Sequence, residues 1–115
     1  MTAAALASLR LIRAEPDRVK RLHRHGQIFL DEAKAAGLNT GVSSGYGMLP
    51  VIAGDVIKSM RLWHRMFARE INPSLIVYPG VPIKAGRLRF FLTSEHTEDE
   101  IRSAVRTTAE ELAKV

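Results

Sequence analysis

Between Arg87 and Ile101 the pattern of apolar residues switches from a strand period to a helix period within a few positions. That switch constrains the fold more than any other feature. Arg87-Leu88-Arg89-Phe90-Phe91-Leu92 reads as a short strand. Arg87 and Arg89 take one face; Leu88, Phe90 and Leu92 take the other. Thr97, followed three residues later by Glu100, forms a capping box, in which hydroxyl and carboxylate satisfy two free amides of a first helical turn. Glu98 and Asp99 suit the positive end of that helix. Ile101, Val105, Thr108 and Leu112 are expected to face inward. A half-apolar strand followed by an amphipathic helix calls for two packed layers.

The upstream sequence supplies the other pieces. Residues from Ala3 to Ala14 are rich in Ala, Leu and Arg, all good helix formers. Glu15-Pro16 breaks that helix from a second one, whose expected stripe is Val19, Leu22, Gly26, Phe29, Ala33 and Ala36. Gly37 caps its end, with Leu38 folding back on the last turn. Asn39 to Gly47, with three glycines and two serines, is a loop. Met48 to Ala53 is a strand in which Pro50 favours an edge or a start. Asp55 caps a third helix; Val56, Met60, Trp63 and Phe67 are expected to pack on Leu88, Phe90 and Leu92, with Lys58, Arg61, Arg65 and Arg69 opposite. Ser74 to Tyr78 gives a strand, and Tyr78-Pro79-Gly80-Val81-Pro82 a rigid connection. The order is helix, helix, strand, helix, strand, strand, helix. It predicts a two-layer α+β domain with a short three-stranded antiparallel sheet.

At 115 residues the chain is one domain with a modest core. It has no cysteine, which excludes disulfides, a thiol nucleophile and thiolate metal sites. No apolar run reaches the roughly 18 residues of a membrane span. The start lacks a basic leader, so no signal peptide is expected and the default compartment is the cytoplasm. The net charge of +5 opens a second possibility, a stand-alone basic module that binds nucleic acid or an acidic protein. Solvated helix faces are the commoner cause of such charge, and few aromatics interleave the basic residues here.

By spacing alone, Arg89 is either a solvated strand arginine or a carboxylate grip, since a guanidinium holds a carboxylate through two parallel hydrogen bonds. Arg87 is expected to form a surface or domain-interface ion pair. His23, His25, His64 and His96 lack the spacing of a ligand set, so no metal site is expected; His96 reads as structural. Lys20, Lys34, Lys58 and Lys114 fall on expected helices, and Lys84 in the proline-rich connection.

The run from Val81-Pro82 through Arg87-Leu88-Arg89 to Leu92-Thr93 and His96-Thr97 resembles the tail of the α-oxoamine synthases. Leu49-Pro50-Val51-Ile52-Ala53-Gly54-Asp55 and Leu22 to Leu38 are also similar to segments of that family. Where the family usually has a glycine two residues after the second proline, this chain has Lys84. The resemblance implies the small C-terminal domain of a fold-type-I pyridoxal-phosphate enzyme, serine palmitoyltransferase-like, that condenses an amino acid with an acyl-CoA and releases carbon dioxide. It implies that residues 1–15 are a connecting helix from a large N-terminal cofactor domain, and that residues 16–115 are the core of a substrate-capping domain. Arg89 then binds the substrate carboxylate, and Tyr78, Pro79, Gly80, Val81 and Pro82 form an active-site loop. The catalytic lysine belongs to the large domain, so no catalytic residue, no tightly bound pyridoxal phosphate and no turnover are expected of the isolated chain. A homodimer or self-association is expected as well, and Leu6, Leu9, Ile12 and their neighbours are expected to form an exposed apolar patch or to self-associate.

Overall fold

The computed structural model describes residues 1–43 and 45–115. Ser44, counted in the expected loop from Asn39 to Gly47, lies outside the described residues. Among those residues the order is α1 (Thr2–Ala14), α2 (Asp17–Ala35), β1 (Met48–Gly54), α3 (Val56–Ala68), β2 (Ser74–Ile76), β3 (Gly86–Phe91) and α4 (Glu98–Leu112). The expected order and fold class are borne out. The sheet runs β1-β3-β2 and is antiparallel throughout. Pro50 therefore sits on an edge strand, where its missing N–H breaks no ladder between two neighbours. The second strand ends at Ile76, short of Tyr78.

The caps read from sequence are present. The Asp55 carboxylate accepts from the Lys58 amide at 2.8 Å. Thr97 Oγ1 accepts from the Glu100 amide and Glu100 Oε1 from the Thr97 amide, each at 3.1 Å. Gly37 takes a φ of +76°, and the Leu38 amide donates back to the Ala33 carbonyl at 2.9 Å, which ends α2 and buries Leu38.

One core joins the inner sheet face to α2, α3 and α4. It contains Phe29, Leu30 and Ala33 of α2, Leu49 and Val51 of β1, Leu88 and Phe90 of β3, and Ile101 and Val105 of α4. The expected inner face of α3 is corrected. Ser59, Leu62 and Met66 are its buried residues, whereas Met60 and Phe67 are exposed. Trp63 is half-buried on the flank, its Nε1 donating to the Pro73 carbonyl at 3.0 Å. The reason lies at Gly86: a Cβ there would strike Ser59 Oγ, so β3 begins hard against the start of α3 and turns that helix about one residue from the expected stripe. The stripe of α2 shifts too. His25 and Leu30 join Gly26, Phe29 and Ala33 inside, while Val19 and Ala36 are exposed. Helix α1 has no buried residue, and Leu6, Leu9, Leu11 and Ile12 are all exposed, as expected of the first helix.

Glu111 on α4 is buried and charged, which sequence did not signal. Arg65 of α3 and Arg69, the residue that caps its end, each donate to it at 3.0 Å, and Lys114 lies 3.5 Å away. The hydrogen bonds from Arg65 and then Arg69 hold its carboxyl below the ordinary glutamate value, against the opposing pull of desolvation. A carboxyl depressed in the folded state stabilises above its unfolded pKa, and that stability is lost as pH falls through the folded value. Urea midpoints should therefore drop on acidification below about pH 5, near the ordinary glutamate range. Glu111→Gln should fall less steeply over that window; parallel curves for the two proteins would exclude Glu111 as a source of acid lability.

Candidate functional site

The sheet face turned away from the helices carries the candidate chemistry. Registration sets three rows across it: Met48 beside Phe91; Pro50, Arg89 and Ser74; and Ile52, Arg87 and Ile76. Leu88 and Phe90 alternate into the core, so the two arginines must point to this open face.

The arginines differ in what holds them. Arg87 Nε donates to the Ala85 carbonyl at 3.1 Å, a backbone tie and not the ion pair expected. Arg89 is half-buried, and its Nε is buried without a hydrogen-bond partner. Among the described residues no carboxylate pairs with Arg89, although Arg18, Arg21, Arg65, Arg69 and Arg102 all have one. Its guanidinium carbon lies 5.5 Å from the centre of the Phe91 ring. A charged group left without a counter-charge on a sheet face can accept a carboxylate from outside.

Tyr78, Pro79, Gly80, Val81 and Pro82 belong to the connection from β2 to β3, at the Ile76–Arg87 end of the face. The Gly80 amide donates to the Val77 carbonyl and the Ala85 amide to the Pro82 carbonyl, each at 2.9 Å, and the Tyr78–Pro79 bond is cis. Tyr78 is exposed. Among the described residues no hydrogen bond joins these side chains to Arg89.

The turn after β3 is pinned from both sides. His25 Nδ1 donates to the Thr93 carbonyl at 3.1 Å, and the Thr93 amide donates to His96 Nδ1 at 2.9 Å. His96 thus has a structural bond. The role of His25 was not foreseen, although its place four residues before Phe29 was a signal for the inner face. A cleft of about 720 Å³ lies between α4, the turn at 69–73 and the end of β3; Arg89 does not line it. A smaller one of about 330 Å³ opens near Tyr46, Met48, Pro50 and Arg87.

Pyridoxal phosphate requires a lysine for its Schiff base. Lys20, Lys34, Lys84 and Lys114 are exposed, and Lys58 is half-exposed on α3. None lies on the open face beside Arg89, so the lysines here do not fit a cofactor site.

No family model matches the chain. Among curated proteins it is 30% identical to the 8-amino-7-oxononanoate synthase of Symbiobacterium thermophilum, over 95% of this chain and 28% of that protein. It is also 30% identical to 8-amino-7-oxononanoate synthase 1 of Bacillus velezensis, over 100% of this chain and 30% of that protein. The chain therefore spans under a third of the curated relatives it matches. Among solved structures, the 8-amino-7-oxononanoate synthase of Francisella tularensis superposes with a TM-score of 0.81 at 26% identity, over 96% of this chain and 32% of that one. A serine palmitoyltransferase of S. paucimobilis, solved with a bound PLP–myriocin aldimine, gives a TM-score of 0.86 at 17% identity, over 98% of this chain and 29% of that one. The second likeness concerns the fold alone. These findings bear out the family resemblance and the fold class read from sequence.

Proposed function

We propose that this chain, which belongs to the α-oxoamine synthases, is the C-terminal domain that closes the amino-acid end of their active site. The reaction would be the condensation of an amino acid with an acyl-CoA, with loss of carbon dioxide. Pyridoxal phosphate, held by a domain outside this chain, would supply the electron sink for that chemistry. The residues here would bind and orient. Arg89 would grip the substrate carboxylate, fixing which bond of the amino acid lies where it can break. Tyr78 to Pro82 would border the site, and α1, as the connecting helix, would bury Leu6, Leu9 and Ile12 against the cofactor domain.

The observation that carries this reading is the buried, unpartnered Nε of Arg89 on a face where, among the described residues, no carboxylate answers it. The basic-module alternative is weakened by the arginines it would use, since Arg65 and Arg69 are already engaged by Glu110 and Glu111.

Arg89→Lys in an enzyme containing both domains gives the test. Lysine keeps the charge but loses the paired geometry. Amino-acid binding should weaken by about 1.5–3 kcal/mol, the scale of a hydrogen bond to a charged group. The melting temperature should stay as it was. Unaltered amino-acid affinity would remove Arg89 from the site and the reading with it.

A further inference from the structure

We infer that Phe91 is the positioning residue of Arg89, a ring platform that holds the guanidinium ready for a carboxylate. The inference rests on the carboxylate reading above. Three observations meet at this pair. First, the two residues are two apart on β3, so both stand on the open face. Second, the guanidinium carbon is 5.5 Å from the ring centre, within the roughly 6 Å range of a cation–π contact. Third, Phe91 is 56% exposed and Met48 across from it 43% exposed, so the ring is not there to fill the core.

The comparison with Arg87 sharpens the point. That side chain is tied to a backbone carbonyl, which fixes its Nε–H. Arg89 has a buried Nε and no acceptor for it among the described residues. A long side chain without a hydrogen-bonding partner would ordinarily sample many rotamers, and ordering it on binding would cost entropy. A ring beneath the guanidinium restricts that sampling without consuming an N–H, so the donors stay available. An aspartate or glutamate in the place of Phe91 would also order the arginine, but it would occupy the donors the substrate needs. Phe91 thereby acts on the substrate through Arg89.

The test uses the 115-residue chain with acetate as the carboxylate probe. The Arg89 Nε–H signal is assigned in ¹⁵N spectra by its disappearance in Arg89→Lys. It should be ring-shifted in the wild type, should return toward the free-arginine position in Phe91→Leu, and should keep its shift in Phe91→Tyr. Acetate should move it saturably, with a dissociation constant raised about two- to fivefold in Phe91→Leu and restored in Phe91→Tyr, the scale of an exposed cation–π contact. Thermal midpoints of all three should agree, because the ring lies outside the core. An Arg89 signal indifferent to Phe91→Leu overturns the platform and leaves the carboxylate reading standing. A signal that responds to Phe91→Leu but never to acetate overturns both.

Discussion

Phe29→Ala should remove about 3–5 kcal/mol of stability, the cost of deleting a buried aromatic ring. Phe29 is fully buried, and its ring packs on that of Phe90 with centres 5.1 Å apart at 48°. It is where α2 meets the inner sheet face, and Ile101 of α4 belongs to the same core. Losing it takes away the transferred apolar area and leaves a void where α2, α4 and the sheet meet. A domain of this length holds on the order of 6–17 kcal/mol in total, at about 0.05–0.15 kcal/mol per residue. The variant should therefore unfold at a much lower urea concentration with an unchanged m-value. A loss below about 1 kcal/mol, the scale of a surface change, would mean that Phe29 does not hold α2 on the sheet.

The parts legible in the sequence were those whose causes are local. The Thr97–Glu100 box, the Asp55 cap, the Gly37 end of α2 and the edge placement of Pro50 each follow from a residue type and its immediate neighbours. Alternation alone put Arg87 and Arg89 on the face opposite Leu88. What failed depended on partners distant in sequence. On α3 two apolar stripes compete, one through Met60 and Phe67 and one through Leu62 and Met66, about one residue apart on the helix. The aromatic volumes favoured the first. The close seat of Ser59 on Gly86 selects the second, and that contact spans 27 positions. Glu111 was hidden for the same reason: a glutamate near the end of an acidic helix looks solvated until Arg65 of α3 and Arg69 at its cap arrive. Of the candidate site, the face of Arg89 was legible. Its missing counter-charge was not, because that is a property of every carboxylate in the fold.

Gly26→Val should be the second severe substitution, for the opposite reason to Phe29→Ala. Any Cβ at Gly26 would run into the carbonyl oxygen of Gly45 and would lie 2.5 Å from that of Tyr46. Both obstacles are backbone, so no side-chain rotamer can relieve them. Gly26 is buried on α2, and the segment crossing it leads straight into β1. Gly45 itself has a φ of +78° and packs on Leu30, so it has little room to retreat. Overpacking of this kind costs about 1–3 kcal/mol, occasionally more. The bulk of valine and its lower helix propensity place it at the upper end of that range. The displaced segment would carry Tyr46 and Met48 with it, at the rim of the open face, so acetate binding at Arg89 should weaken along with stability. Gly26→Ala should show the same pair of effects in smaller measure. If alanine is accepted with full stability, the loop does not press on α2 at this point, and the rim of the face is set by β1 alone.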